Sequence, residues 1–151
     1  MASDVIPTTP QAAPIGVLCV DDNPLVAAAL ARKLDAADGI RWLGHLENAE
    51  RLTDTALEKR PNVILLDVDM PGREPLSVIR ELAERGSEAR VIIFSGYVHW
   101  KLFERAVTEG AWGYISKSDG EDAVLAGIRQ VARGEFAVSA EVRDKIDRPD
   151  A

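Results

Sequence analysis

The sequence predicts an α/β fold, a doubly wound, five-stranded parallel sheet in the flavodoxin-like order 2-1-3-4-5 with helices on both faces. From residue 15 onward, short apolar runs alternate with segments of helical period, which is the pattern of repeated strand–helix units. Three of these runs are almost continuously apolar, as parallel strands buried on both faces are. Right-handed crossovers restrict the strand orders, and 2-1-3-4-5 is the common order for five such units.

The predicted strands are short apolar runs along the chain. In order they cover residues 15–20, 40–46, 62–66, 90–94 and 112–116. Helical periodicity is clearest in the first and last helices, where apolar residues recur every three or four positions and share one face. These residues are Ala27, Leu30, Ala31 and Leu34 in the first helix and Val124, Leu125, Ile128 and Val131 in the last.

Residues that start and stop helices lie where this pattern needs them. Asn23 offers an N-terminal cap, and Pro24 suits the first position of the first helix. Ser118 and Glu121 have the spacing of a capping box before the last helix, and Gly134 is placed to end it.

The chain of 151 residues is long enough for one domain and short for two. We predict a disordered N-terminal tail over residues 1–14, which are rich in Pro, Thr and Ala, and one folded domain over residues 15–134. Residues 135–151 are predicted to form a short C-terminal tail, with a turn or short strand at its start and a polar remainder.

Composition and charge argue against several classes of protein. The formal net charge of −7 makes a broad nucleic-acid surface unexpected, because phosphate binding needs a basic patch. No run approaches the ~18 apolar residues of a membrane span, and the first residues lack the features of a secretory signal. The single cysteine, Cys19, is interpreted as a core thiol suited to a reducing compartment. We expect a soluble cytoplasmic protein that binds neither nucleic acid nor membrane directly.

Polar residues follow the predicted strands at one edge of the sheet. They are Asp21 and Asp22 after strand 1, Asp67 after strand 3, Ser95 after strand 4 and Lys117 after strand 5. Ligands of such sheets bind beyond the carboxyl ends of the strands, at the switch point between strands 1 and 3. We therefore expect these five side chains to form one site.

The chemistry expected of this site is phosphoryl transfer. Three carboxylates at one place repel one another, and a divalent cation with oxygen ligands, most simply Mg²⁺, removes that repulsion. Because Mg²⁺ takes only one or two carboxylates, Asp67 is left to act as the nucleophile that forms an aspartyl phosphate. Lys117 and the Ser95 hydroxyl would then stabilise charge on the phosphoryl oxygens.

Four segments, VLCVDDNPLV, VILLDVDMPG, VIIFSGY and GAWGYISK, resemble the receiver domains of two-component response regulators. The likeness covers the predicted domain, and its motifs match in order, spacing and strand context. It implies that the acidic pair and Asp67 bind Mg²⁺, with the Asp69 carbonyl as a further ligand, and that Asp67 is the phosphoacceptor. It also implies that Lys117 contacts the phosphate and that Ser95 and Tyr114 are switch residues.

In that family a histidine kinase or a histidine phosphotransfer protein supplies the phosphoryl group. The resemblance implies a phosphorylation-dependent switch that catalyses only its own phosphorylation and dephosphorylation, so we do not expect an enzyme with a separate substrate. Phosphorylation would shift a conformational population and alter the surface of helix 4, strand 5 and helix 5. An unknown downstream protein, a missing output domain and a homodimer stay open as the partner.

The C-terminal segment KSDGEDAVLAGIRQVARGE is most similar to the nitrate-response subfamily, whose members add a helix-turn-helix DNA-binding domain. Only 34 residues follow Lys117 in the chain of 151, and a further domain needs ~50 residues or more. No output domain is therefore expected here. The segment from Arg73 to Leu76 departs from the family pattern, and its Pro75 is expected to shorten or restart helix 3.

Two of the three tryptophans and both histidines are considered apart from this site. Trp100 and Trp112 are interpreted as part of a protein interface or, alternatively, as packing residues. His45 and His99 are interpreted as surface or edge residues.

Two alternative functions remain beside the phosphorylated switch. The sequence DVDM resembles the DxD signature of haloacid-dehalogenase-type phosphatases, but there the signature lies at the first strand and the acidic pair comes last, unlike the order here. A receiver-shaped binding module that is not phosphorylated is the other alternative, and the complete set of acidic, hydroxyl and lysine residues argues against it.

Overall fold

The computed structural model of the protein describes residues 13–70 and 74–148. The strands are β1 (Ile15–Val20), β2 (Ile40–Leu46), β3 (Val63–Leu66), β4 (Arg90–Ser95), β5 (Gly113–Ser116) and β6 (Ala137–Val138). The helices are α1 (Pro24–Asp35), α2 (Leu52–Lys59), α3 (Pro75–Glu84), α4 (Trp100–Glu109), α5 (Gly120–Ala132) and α6 (Ala140–Asp147). A 3₁₀ turn, Lys117–Asp119, joins β5 to α5.

The strands form one parallel sheet in the order β2-β1-β3-β4-β5-β6. The predicted fold class and the predicted order 2-1-3-4-5 are confirmed. The structure adds a sixth strand, because β6 pairs with the outer edge of β5.

Alternate side chains of the strands enter two apolar layers. In β1, Leu18 and Val20 face one layer, and Val17 and Cys19 face the other. The first layer is covered by α2, α3, α4 and α6, and the second by α1 and α5. Helices therefore cover both faces, as the strand pattern predicts. Among the described residues, no helix is long and apolar enough to cross a membrane.

Two of the predicted helix ends are confirmed. The Asn23 side-chain oxygen accepts hydrogen bonds from the amides of Leu25 and Val26 at the start of α1, and Pro24 is the first helical residue. Gly134, just beyond α5, has a φ of +86°, which is the left-handed conformation that favours glycine after a helix.

The predicted capping box of Ser118 and Glu121 is wrong. Ser118 lies inside the 3₁₀ turn, and α5 begins only at Gly120. The capping hydroxyl belongs instead to Ser116, which accepts a hydrogen bond of 3.1 Å from the Ser118 amide. The reason is that this turn continues directly from β5, so the chain turns two residues earlier than local spacing indicates.

Pro75 is the first residue of α3 and so starts this helix. The Glu74 carboxylate caps it by accepting a hydrogen bond from the Ser77 amide. Arg73, the first residue of the segment that departs from the family pattern, lies outside the described residues.

The C-terminal segment is more structured than its polar composition indicates. Its start forms β6, in line with the predicted turn or strand, but residues 140–147 form α6 rather than a polar tail. Val138, Val142 and Ile146 recur every four residues and pack against the first apolar layer. Of the predicted N-terminal tail, only residues 13 and 14 are described, and they belong to neither helix nor strand.

Candidate functional site

The predicted acidic residues meet at the carboxyl edge of the sheet. Val20 and Leu66 are partners in the parallel pair β1–β3, so the next residues, Asp21 and Asp67, leave the sheet side by side. The Asp67 amide donates a 2.9 Å hydrogen bond to the Val20 carbonyl. Asp21, Asp22 and Asp67 each offer a carboxylate oxygen, and these oxygens lie within 4.8 Å of one another.

Two of these carboxylates are buried, and each is held by a backbone amide. Asp21 is 0% exposed and Asp67 is 3% exposed, whereas Asp22 is exposed. Asp21 Oδ1 accepts a 2.8 Å hydrogen bond from the Asn23 amide, and Asp67 Oδ1 accepts one of 3.0 Å from the Asp69 amide. These bonds leave Oδ2 of both residues available to a cation.

Lys117 supplies the cationic group of the site. It follows β5 directly, and its Nζ lies 2.8 Å from Asp21 Oδ2 and 3.2 Å from Asp67 Oδ2. Within the described structure, Asp21 Oδ2 is buried and accepts no hydrogen bond of normal geometry despite this short contact. Three carboxylates facing one ammonium leave the site with an excess of negative charge.

The buried position of the site shifts the pKa values of two groups. Burial raises the pKa of Asp67, and this effect outweighs the lowering by the Asp69 amide and by Lys117; the charge of Asp21 raises it further. Burial lowers the pKa of Lys117, but its close contact with Asp21 and the charges of Asp67 and Asp21 raise it to a value above the ordinary one. At neutral pH Lys117 is therefore an ammonium ion.

The donor set fits Mg²⁺. Its ligands would be carboxylate oxygens, which hard divalent cations prefer. The buried Asp21 Oδ2 accepts no hydrogen bond from the described residues, and a metal ion bound there would give this oxygen a partner. Asp22 is exposed, which suits an ion that keeps several of its waters. Asp69 is also exposed, and the predicted role of its carbonyl as a ligand stays a prediction.

The two predicted switch residues are joined through one residue that the sequence did not single out. Ser95, the last residue of β4, is 0% exposed, and its Oγ accepts a 3.0 Å hydrogen bond from the Tyr97 amide. Tyr114 is also 0% exposed, and its hydroxyl donates a 2.5 Å hydrogen bond to the Tyr97 carbonyl. Tyr97 thus links both side chains through its backbone, which side-chain patterns do not reveal.

One histidine lies closer to the site than the sequence indicates. His45 is on the edge strand β2, as predicted, but its Nε2 donates a 2.6 Å hydrogen bond to the Asp21 carbonyl. The parallel pairing of β2 with β1, in which His45 is opposite Cys19, brings it there. His99 is exposed, in line with the predicted surface position, and its Nδ1 accepts a hydrogen bond from the Lys101 amide at the start of α4.

The two tryptophans lie apart and do not form a pair. Trp100, at the start of α4, stacks on Phe103 with ring centroids 6.4 Å apart. Trp112 directly precedes the first residue of β5 and packs against the second apolar layer. The Arg90 guanidinium lies over its ring, 4.4 Å from the ring centroid. The predicted interface role of the two rings stays a prediction.

Comparisons with known proteins agree with this geometry. The response regulator receiver domain family matches residues 17–129. The chain is 30% identical over 126 residues to the nitrate/nitrite response regulator protein NarL of Escherichia coli K12, which covers 83% of this chain and 58% of NarL. It is 30% identical over 132 residues to the response regulator GacA of Pseudomonas aeruginosa, covering 87% of this chain and 62% of GacA. The chain thus spans only about three-fifths of the length of these two curated relatives.

Solved structures with low sequence identity show the same fold. A LuxR-family two-component response regulator from Aurantimonas sp. SI85-9A1 superposes with a TM-score of 0.83 at 22% identity, covering 89% of this chain and 96% of that one. The isolated receiver domain of RcsB from Salmonella enterica serovar Typhimurium, in the presence of the phosphomimetic BeF₃⁻, gives a TM-score of 0.78 at 15% identity, covering 87% and 97%. The family match over residues 17–129 shows that the chain belongs to the receiver domains of two-component response regulators, a family of phosphorylation-based signalling rather than of classical enzymes, and the shared fold and the assembled acidic site agree with it.

Proposed function

We propose that this chain is a signalling switch whose conformation is controlled by phosphorylation of Asp67. The observation that carries the proposal is the buried Asp67 carboxylate, held between the Asp21–Asp22 pair and the ammonium group of Lys117, 3.2 Å away. A buried carboxylate is unfavourable for stability alone, since burial raises its pKa. A chemical task accounts for a carboxylate at this buried position.

Asp21, Asp22 and Asp67 would hold Mg²⁺, together with the carbonyl of Asp69. Bound there, Mg²⁺ neutralises charge on the phosphoryl oxygens. The backbone amides of Asn23 and Asp69 already fix one oxygen of Asp21 and Asp67, so the carboxylates are oriented before any ligand arrives.

The transfer step forms a bond between a carboxylate oxygen of Asp67 and phosphorus, and breaks the phosphorus–nitrogen bond of a phosphohistidine. The leaving imidazole keeps the electron pair of that bond and takes a proton from solvent. Lys117 remains protonated, because its pKa is raised, and pairs with the transferred group. Ser95 would donate its hydroxyl hydrogen to another phosphoryl oxygen after releasing the Tyr97 amide.

A protein that carries the phosphohistidine would dock beside Lys117. A shallow cavity of about 310 Å³ opens between the first turns of α1 and α5, and its lining includes Leu25, Val26, Phe94 and Lys117. Leu25 is 79% exposed and, beside this cavity, offers an apolar contact to a partner. A histidine kinase or a histidine phosphotransfer protein is therefore the proposed donor.

The output surface of the proposed switch includes α4, β5 and α5. The buried Tyr114 of β5 supports this surface from below, because its hydroxyl binds the Tyr97 carbonyl in the same loop whose Tyr97 amide binds Ser95. Movement of Ser95 toward a phosphoryl group would release the Tyr97 amide and so change the loop that leads into α4. A downstream protein or the output domain of a longer chain would read this change.

The proposal is tested with Mg²⁺ and acetyl phosphate, followed by intact mass. We expect the wild type to gain one phosphoryl group and Asp67→Asn to gain none. Asp69→Asn is the matched control, because its carboxylate is exposed and only its carbonyl is assigned a role; it should still be phosphorylated. A wild type that gains no phosphoryl group in Mg²⁺ would contradict the proposal and favour the unphosphorylated binding module.

A further inference from the structure

Three hydrogen bonds, here called the latch, join α6 to the segment that carries Lys117. The Ser116 amide donates to Ser139 Oγ at 2.9 Å, and the Ser116 hydroxyl donates to Glu141 Oε1 at 2.5 Å. The Glu141 amide donates to Asp119 Oδ2 at 2.9 Å. The latch therefore connects both ends of the turn after β5 to the first turn of the C-terminal helix.

The latch replaces capping that α6 lacks locally. The residue before the helix, Ser139, makes no side-chain capping bond to α6, because its hydroxyl accepts from Ser116 instead. The cap is supplied by Asp119, twenty-two residues before its partner Glu141. A helix capped from outside depends on the position of the group that caps it.

Helix α6 has little stability of its own. It has eight residues, whereas isolated helices shorter than ~12 residues are marginal in water. Val142 is its one buried residue. Docking of α6 against β5 and α4 therefore depends strongly on the latch.

The anchors of the latch adjoin both groups that would contact a phosphoryl group. Ser116 precedes Lys117, and its Oγ also accepts a hydrogen bond from the Ser118 amide. This bond joins the two residues on either side of Lys117. Ser116 is also the register partner of Ser95 in the β4–β5 pair. One anchor of the latch is therefore a direct neighbour of both Lys117 and Ser95.

We propose that α6 is a further element that reads out phosphorylation, beside the surface of α4, β5 and α5, because a phosphoryl group on Asp67 weakens the latch and loosens α6. This inference rests on the proposed function of Asp67. In the described state the latch is complete while Lys117 Nζ contacts Asp21 and Asp67. A phosphoryl group would place its oxygens beyond the present carboxylate, so Lys117 and Ser95 would both have to move, and Ser116 is the chain neighbour of Lys117 and the cross-strand partner of Ser95.

The coupling must act in both directions, because linkage between two sites is reciprocal. If phosphorylation weakens the latch, then breaking the latch must favour occupation of the phosphorylation site. Glu141→Ala removes the acceptor of the Ser116 hydroxyl, whereas Glu141→Gln keeps an oxygen acceptor at the same place. Asp144→Ala is the matched control, because it removes an exposed carboxylate of α6 whose ion pair is with Arg148.

Hydrogen exchange of the α6 amides, measured by mass spectrometry on the wild-type chain, tests the forward direction. With Mg²⁺ and beryllofluoride as the phosphoryl mimic, we expect exchange in α6 to become at least about fivefold faster, the lower range of allosteric coupling. Asp67→Asn should show no such change. Titration of beryllofluoride, followed by tryptophan fluorescence, tests the reverse direction: Glu141→Ala should bind at least about fivefold tighter than the wild type, and Glu141→Gln and Asp144→Ala should bind like it.

The outcomes separate this inference from the function on which it rests. If intact mass shows no phosphoryl group on Asp67, both the proposed function and the latch mechanism are refuted. If Asp67 is phosphorylated and the mimic binds, but exchange in α6 is unchanged or slower, only the latch mechanism is refuted. A purely structural latch would lower the stability of Glu141→Ala without changing beryllofluoride affinity, which would also refute it.

Discussion

Lys117→Ala in the absence of metal tests the electrostatic account of the site most directly. The variant removes the ammonium group that lies 2.8 Å from Asp21 and 3.2 Å from Asp67. Two buried carboxylates are then left facing the exposed Asp22 with no cation among them. We expect the folded state to lose stability in EDTA and to recover part of it in Mg²⁺.

The structure sets the size of this effect. Removing one partner of a buried ion pair costs about 3–5 kcal/mol, but the Lys117 side chain is 24% exposed. Water will therefore enter the vacated space, and we expect a loss of about 2–3 kcal/mol in the free energy of unfolding. At this chain length about 3–4 °C corresponds to 1 kcal/mol, so the midpoint should fall by about 6–12 °C.

Thermal unfolding followed by circular dichroism, in EDTA and in Mg²⁺, measures both parts of the prediction. Lys33→Ala is the matched control, since Lys33 also forms a close ion pair, 2.5 Å from Asp122, but that carboxylate is 90% exposed. Exposed ion pairs contribute little, so its midpoint should barely move. Mg²⁺ should raise the midpoint of Lys117→Ala more than that of the wild type, because the cation relieves a stronger repulsion. A loss no larger than that of Lys33→Ala, or an equal response to Mg²⁺, would refute the electrostatic argument.

Three further predictions concern pH, packing and the switch loop. The raised pKa of Lys117 means that its contribution to stability is complete below its ordinary pKa of 10.5 and is lost as pH rises through the raised pKa. Alkaline unfolding in EDTA should show this loss in the wild type and not in Lys117→Ala. Gly113→Ala would place a Cβ 2.9 Å from the Ala137 carbonyl oxygen and should lower the free energy of unfolding by about 1–3 kcal/mol in urea, whereas Gly96→Ala, with nothing within 4 Å of the added Cβ, should not. Tyr114→Phe removes the hydroxyl bond to the β4–α4 loop and should cost about 1 kcal/mol in urea and speed hydrogen exchange in that loop; unchanged exchange would contradict the assigned role.

The candidate site is predictable from the sequence because parallel strands bring their carboxyl ends to one edge. Asp21 and Asp67 are 46 residues apart in the chain, yet the order 2-1-3-4-5 makes β1 and β3 neighbours. The alternation of apolar runs and helices and the right-handed connections restrict the strand order, and 2-1-3-4-5 is the common order that remains. Once this strand order is formed, Asp21, Asp67 and Lys117 lie at the same edge of the sheet.

Local spacing was misleading where a distant segment supplies the partner. Ser118 and Glu121 match a capping box, but the turn that follows β5 is capped by Ser116 and tied to α6 through Asp119. The short helix α6 was missed for the same reason, because its cap lies on another part of the chain. The contacts of His45 and Tyr97 were not predicted either. His45 binds the backbone carbonyl of Asp21, which the sheet brings close, and Tyr97 binds Ser95 and Tyr114 through its own backbone.

The amino-acid pattern alone therefore establishes the alternation of strands and helices and the acidic, hydroxyl and lysine groups at the strand ends, and it favours one order of the five strands. These follow from periodicity and covalent connectivity, which are properties of neighbouring residues. The burial of Asp67, the ion pairs of Lys117, the bonds that Ser95 and Tyr114 make to one loop, and the attachment of α6 depend on packing between segments far apart in the chain. Interatomic distance decides such contacts, and distance between remote segments is set only when the whole chain has folded.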